Sequence, residues 1–143
     1  MPDAPNHAFR DFYEKFYTAI AGSKANAEYN ERLFGKDMDQ QGFAEVSHLD
    51  HLIEVSGGIG PTSRVLNLGC GNGKMAEYIS DCTGANLTGI DFIPFEIQQA
   101  QERTQAKRDR LEFKAEGNLM LSYNLILRSY FAALVARVRY ALS

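Results

Sequence analysis

The chain has 143 residues, 45% of them hydrophobic, and a net charge of -3 at pH 7. This length and composition suit one soluble globular domain, and the acidic balance gives no support to nucleic-acid binding. The N-terminal sequence lacks the apolar segment of a secretory signal, and two cysteines are too few for a disulfide framework. We therefore expect a single domain, 1–143, in the cytoplasm, a reducing compartment.

The first part of the chain predicts helices. Apolar side chains recur at helical spacing over residues 9–21 and again over residues 42–55. Residues 23–41 are polar, and only a short helical turn is expected there. Residues 56–63, SGGIGPTS, form a turn cluster, so residues 1–56 are predicted to be an N-terminal helical lid. The aromatic side chains of the first helix are expected in the core: Phe12, Tyr13, Phe16 and Tyr17.

Strand-type and helix-type sequences alternate over residues 62–143. This alternation predicts an α/β fold in which a parallel sheet has right-handed crossover helices. The predicted strands are 64–68, 86–90, 111–115 and 123–127. The predicted helices are 74–80, 94–107 and 130–141.

Residues 119–142 are strongly apolar and long enough to cross a bilayer. Three arginines lie inside this segment, and an arginine near the centre of a bilayer is costly. A buried strand followed by a buried helix is therefore the expected structure, with a membrane anchor as the alternative.

The sequence VLNLGCGNGK, residues 65–74, places three glycines directly after a predicted strand. Such strand-to-helix turns let a ligand approach the backbone closely, although a tight turn without a ligand is the alternative. The dinucleotide fingerprint GxGxxG is absent, because Lys74 stands at its last position counted from Gly69. The loop therefore favours a nucleotide-type cofactor other than NAD.

Asp91 follows the next predicted strand. Because parallel strands bring their carboxyl ends to one edge of a sheet, we expect Asp91 to lie close to the glycine loop. A carboxylate there can accept hydrogen bonds from both hydroxyl groups of a ribose. The alternative is that Asp91 only begins the following helix, where a negative charge is favourable.

The glycine loop and the later sequence LTGIDFIPFEIQQAQER together resemble the class I S-adenosylmethionine-dependent methyltransferases, which carry VLDLGCGxG and then GID or GVD. The resemblance is clear over residues 64–110 and fainter beyond them. It implies a Rossmann-like parallel sheet of about four strands in the order 3-2-1-4 within residues 62–143. It also implies S-adenosylmethionine as the cofactor and methyl transfer to a small-molecule acceptor.

The resemblance further implies a set of cofactor contacts. Gly69 and Gly71 would border the methionine and ribose parts, with Cys70 between them as a small packing residue. Asp91 would accept the ribose hydroxyls, and Phe92 would lie against the adenine.

Two asparagines stand where the family has acids. Asn118 takes the place of an acid that receives the adenine amino group, and Asn67 that of an acid at the start of the loop. An asparagine keeps an acceptor oxygen but loses the charge, and charged hydrogen bonds are about twice as strong as neutral ones. Weaker cofactor binding is therefore expected.

The sequence also ends where the family continues with further strands. The strand 123–127 would then be an open edge, which predicts a homodimer through this edge or the last helix.

A truncated, catalytically inactive binding or dimerisation module is the alternative function. No catalytic residue is assigned, although Tyr17, Tyr29 and His48 are candidates for a base. No metal is expected, because His48 and His51 lack a third ligand at suitable spacing.

Overall fold

The computed structural model describes residues 4–39, 45–116 and 136–137. In chain order, the described helices are α1 (Ala4–Ile20), α2 (Lys24–Phe34), α3 (Val46–Val55), α4 (Lys74–Thr83) and α5 (Pro94–Arg103). The described strands are β1 (Arg64–Leu68), β2 (Asn86–Asp91), β3 (Leu111–Ala115) and β4 (Ala136–Arg137). A short 3₁₀ turn at Gln105–Lys107 follows α5.

The sheet has the order β3-β2-β1-β4, and its first three strands are parallel. Leu68 pairs with Ile90, and Asp91 pairs with Ala115. These pairings bring the carboxyl ends of β1, β2 and β3 to the same edge. The expected Rossmann-like α/β fold is thus confirmed, and the glycine loop and Asp91 share one edge of its sheet.

The strand that pairs with β1 on the side away from β2 is β4, and it differs from the prediction. Ala136 and Arg137 are extended and pair antiparallel with Leu66 and Val65, so the predicted helix over 130–141 is wrong at these two residues. The edge of β1 offers unpaired backbone groups, and pairing with them favours the extended conformation at these two residues. The predicted strand 123–127 lies outside the described residues, so a sheet order in which this strand is the parallel fourth strand stays a prediction. Asn118 also lies outside the described residues.

The N-terminal segment is more helical than its sequence predicts, because α2 is an eleven-residue helix rather than a short turn. The Ser23 hydroxyl accepts a hydrogen bond from the Asn26 N–H at 3.3 Å. At the other end, Gly35 adopts a left-handed conformation with φ 82° and donates its N–H to the Glu31 carbonyl. These two caps satisfy terminal backbone groups that a polar sequence would otherwise leave to water.

The aromatic side chains of α1 lie outside the core, which corrects the sequence expectation. Phe12 is 62% exposed and Phe16 is 38% exposed, whereas Tyr13 and Tyr17 are half-buried. The physical reason is that α1 packs on α5, while the core fills the space between the sheet, α4 and α5. The core is built on these residues: Val65, Ile79, Leu87, Ile97, Leu111 and Phe113.

In the described parts of the chain, no helix is both long enough and apolar enough to cross a membrane. The assignments of residues 1–56 as a lid and of the chain to the cytoplasm stay predictions.

Candidate functional site

The loop that joins β1 to α4 turns on glycines in the left-handed region. Gly69, Gly71 and Gly73 have φ values of 70°, 52° and 76°. Side chains are disfavoured in this conformation. A methyl group built on Gly73 would also lie 2.5 Å from Cε1 of Phe113. Gly73 is therefore required where the loop packs against β3.

The N–H groups at the start of this loop are donated to the protein itself. Gly69 and Cys70 both donate to the Ile90 carbonyl, at 2.8 and 3.1 Å. Gly71 donates to Oδ2 of Asp91 at 2.8 Å. A loop that binds phosphate presents such N–H groups to its ligand. In this loop, the carbonyl of Ile90 and the carboxyl of Asp91, both in β2, already accept them, so the described geometry does not favour a pyrophosphate.

Asp91 is buried, with 5% of its surface exposed, and joins β2 to the loop. Besides the bond from Gly71, its Oδ1 accepts the Ile93 N–H at 3.0 Å. Burial raises the pKa of this carboxyl, while the bonds from backbone N–H groups oppose the rise. The N-cap of α5 is Ile93, so Asp91 is not merely the first residue of that helix. The backbone N–H of Phe92 also bonds this carboxyl. A carboxylate has about four acceptor positions, so the three backbone N–H groups leave about one for a ligand.

The other predicted site residues lie at the same sheet edge. Asn67 is half-buried in β1, and Phe92 is buried beside Tyr13, with 6.2 Å between the ring centroids. The Cys70 thiol is buried 3.5 Å from the Gly71 carbonyl, and burial raises its pKa, which suits a packing residue rather than a nucleophile. The structure thus brings together these predicted residues: Asn67, Gly69, Cys70, Gly71, Asp91 and Phe92.

A polar link between the segment after α2 and the loop was not predicted. Oδ1 of Asp39 accepts from Asn26 Nδ2, and Oδ2 accepts from Asn72 Nδ2, both at 2.8 Å. Lys74 Nζ lies 2.9 Å from Asp37 Oδ2 and 3.8 Å from Asp39 Oδ2. Asp39 has a φ of 50°, which is uncommon for a residue other than glycine. These contacts join residues far apart in sequence, so no local pattern could have indicated them.

Glu96 is a further residue near the loop that the sequence analysis missed. It is 6% exposed, and its Oε2 would lie 3.4 Å from a methyl group built on Gly71. Burial, followed by the charges of Asp39 and Asp91, raises the pKa of Glu96 to about 7. An acid in the first turn of a helix is ordinary on electrostatic grounds alone. No pattern in the sequence therefore indicated that the carboxyl of Glu96 faces the loop.

The candidate bases His48 and Tyr29, and the second histidine His51, make contacts away from the loop. Nδ1 of His48 accepts the Glu45 N–H at 3.2 Å and so caps α3. Tyr29 is 59% exposed, and His51 lies 3.7 Å from Glu54. Within residues 4–39, 45–116 and 136–137, no three His, Cys, Asp or Glu side chains are placed to hold a metal ion.

A parallel sheet, a glycine loop at its carboxyl edge and a buried acid after the second strand define a Rossmann-like cofactor-binding domain. The model of the family described as "Methyltransferase domain" matches residues 65–136, which is about half of the chain. The chain belongs to this family, within the class I S-adenosylmethionine-dependent methyltransferases. The cofactor of these enzymes is S-adenosylmethionine.

Similar proteins include two fungal sterol methyltransferases. Sterol 24-C-methyltransferase from Kluyveromyces lactis is 37% identical over 71 residues, which are 50% of this chain and 19% of that protein. The enzyme of the same name from Pneumocystis carinii is 35% identical over 83 residues, covering 56% of this chain and 21% of that protein. The chain therefore spans about a fifth of the length of these relatives.

Among solved structures, geranyl diphosphate C-methyltransferase from Streptomyces coelicolor A3(2) matches with a TM-score of 0.48 and 18% identity. The match covers 69% of this chain and 36% of that one. At this level of likeness, no substrate can be transferred to the chain.

Proposed function

We propose that this chain binds S-adenosylmethionine at the glycine loop and serves methyl transfer to a small-molecule acceptor. The observation that carries the proposal is the direction of the carboxyl groups of Asp91 and Glu96, both of which turn onto the loop. This negative lining suits a ligand with a positively charged sulfur and no phosphate, and it opposes the pyrophosphate of NAD. When bound, S-adenosylmethionine supplies an activated methyl group, so the protein has mainly to align it.

The chain offers residues for each part of this ligand. The acceptor position left on Asp91 suits the ribose hydroxyls. The ring of Phe92 offers an apolar face to the adenine, and the amide oxygen of Asn67 offers an acceptor to the methionine ammonium. Gly69 and Gly71 leave the loop free of side chains beside the methionine and ribose parts. Asn118, outside the described residues, is proposed for the adenine amino group.

A small-molecule acceptor is supported by the two relatives named as sterol methyltransferases. The net charge of -3 does not favour a polyanionic acceptor. The partly exposed Phe12 and Phe16 of α1, whose neighbour Tyr13 contacts Phe92, offer apolar surface near the proposed adenine contact. A homodimer through residues 123–127 or the predicted last helix stays a prediction, because residues 123–127 lie outside the described residues and only Ala136 and Arg137 of the predicted helix are described, as β4.

Calorimetric titration with S-adenosylmethionine, S-adenosylhomocysteine and NAD tests this proposal. Either sulfur compound is expected to bind more tightly than NAD. Asn67→Asp should tighten binding of both sulfur compounds by about threefold to tenfold, because a carboxylate accepts the ammonium hydrogen bond more strongly than an amide. Gln105→Glu adds the same charge at an exposed position after α5 and is the matched control.

Tighter binding of NAD would refute the cofactor assignment. Equal effects of Asn67→Asp and Gln105→Glu would refute the role given to Asn67. Binding of the sulfur compounds without methyl transfer to any small molecule would favour the binding module considered from the sequence.

A further inference from the structure

Glu96 presents a buried carboxyl to the loop without a basic partner in the described part of the chain. Its Oε2 faces Gly71, and the backbone N–H of Asn72 faces the same carboxyl. None of the ion pairs among the described residues includes Glu96. An ionised carboxyl that is buried and unpaired is costly, so a cation brought by a ligand would be strongly favoured there.

The groups around Glu96 leave it with a surplus of negative charge. Arg103, whose charge acts on Glu96, is already engaged, since its Nε donates to Glu77 and its Nη2 donates to the Asn72 carbonyl, both at 2.8 Å. The described charges that act on Glu96 are two negative ones, Asp39 and Asp91, and one positive one, Arg103. The charge of Glu96 acts in turn on the Cys70 thiol, whereas Lys74 is paired with Asp37 at 2.9 Å.

The proposed function places the sulfur of the cofactor near this carboxyl. The sulfur joins the ribose to the methionine chain. If Asp91 holds the ribose and Gly69 borders the methionine part, the sulfur lies beside Gly71, the residue that Glu96 faces. The methylated cofactor carries a positive charge at this atom, whereas the demethylated product is a neutral thioether.

We propose that Glu96 is a specificity-determining residue that makes the loop prefer the cationic methylated cofactor to its neutral thioether product. This inference rests on the proposed function. A positive sulfur favours the ionised carboxyl, which gives its proton to solvent when the cofactor binds. Once the sulfur is neutral, the carboxyl regains a proton from solvent and the attraction is lost, which assists release of the product.

The pH dependence follows from the same contacts. Burial and the neighbouring charges of Asp39 and Asp91 raise the pKa of Glu96 to about 7. Below this pH the carboxyl is mostly protonated, and above it the carboxyl is mostly ionised. Because the cation binds the ionised form better, affinity for S-adenosylmethionine rises as pH increases toward and through 7. Affinity for S-adenosylhomocysteine, which lacks the sulfonium charge, rises less.

Calorimetry with both ligands at about pH 5.5 and about pH 7.0 tests the inference. These pH values are chosen because the amino group of both ligands, with a pKa of about 7.7–8.0, stays mostly protonated at each of them. The preference for S-adenosylmethionine is expected to rise by about threefold to tenfold between these pH values. Glu96→Gln should abolish the rise. The control is Glu102→Gln, exposed on the same helix, which should keep it. Titrations in two buffers of different ionisation enthalpy should detect proton release with S-adenosylmethionine and less with S-adenosylhomocysteine.

A second variant decides the matter if Glu96→Gln does not fold. Asp39→Asn removes a negative charge that raises the pKa of Glu96, so the rise in preference should move to lower pH. An unmoved rise would overturn the inference, as would equal preferences in the wild type and Glu96→Gln at both pH values. In these cases both ligands still bind, and the proposed function stands. Failure of the wild type to bind either ligand would overturn both proposals.

Discussion

Gly73→Ala is expected to destabilise the fold by about 2–4 kcal/mol, the largest effect anticipated for a substitution in the loop. The left-handed backbone at Gly73, with φ 76°, disfavours any side chain. The added methyl group would also lie 2.5 and 2.6 Å from two ring atoms of Phe113 and 3.1 Å from Cβ of Ala100. Urea-induced unfolding of the wild type and the variant measures this loss.

The matched control for this prediction is Gly35→Ala at the end of α2. Gly35 has a similar φ of 82°, but no other atom would lie within 4 Å of an added methyl group. Its substitution should cost only about 1–2 kcal/mol, the price of the backbone conformation. Trimming the ring by Phe113→Leu in the Gly73→Ala background should recover part of the difference. Equal losses for Gly73→Ala and Gly35→Ala would contradict the close packing of the loop on β3.

Asp91→Asn is expected to weaken binding of S-adenosylhomocysteine by about tenfold to a hundredfold, or about 1–3 kcal/mol. The substitution retains the size of the side chain and one acceptor oxygen. It replaces the other oxygen, which the structure shows accepting a backbone N–H, with a donor. Calorimetric titration measures the loss, and Asp109→Asn, which removes an exposed acid from the turn before β3, is the control.

Asp91→Ala should also reduce the free energy of unfolding, because the N–H groups of Gly71 and Ile93 would lose their acceptor. The loss is expected because Asp91 is buried and holds both backbone groups in place. Wild-type affinity in Asp91→Asn, with the fold intact, would show that Asp91 only holds the loop.

The strands of the parallel sheet were predictable because local signals agree with the fold. β1, β2 and β3 are short runs with apolar residues, each followed by a polar or glycine-containing turn or loop. Parallel pairing then requires that Asp91 and the glycine loop share an edge. The placement of Gly69, Gly71 and Asp91 at one edge of the sheet therefore followed from the sequence.

Long-range contacts account for what the sequence did not predict. Asp39 reaches Asn72 across 33 positions, and Glu96 turns back from its helix to Gly71. Neither contact leaves a periodic or spacing signal. The same holds for β4, because the apolar sequence around Ala136 and Arg137 fits a helix or a strand, and pairing with the edge of β1 decides between them.

The most direct test of the central claim is a titration of the ¹⁵N-labelled chain with S-adenosylhomocysteine, followed by amide NMR. If the cofactor lies at the carboxyl edge of β1 and β2, the largest shift changes should fall on the amides of Gly69, Gly71 and Phe92. The amides of α2 and of the turn at 105–107 should change little. Saturable changes confined to residues far from this edge, or no change at millimolar ligand, would contradict the assignment of the glycine loop as the cofactor site.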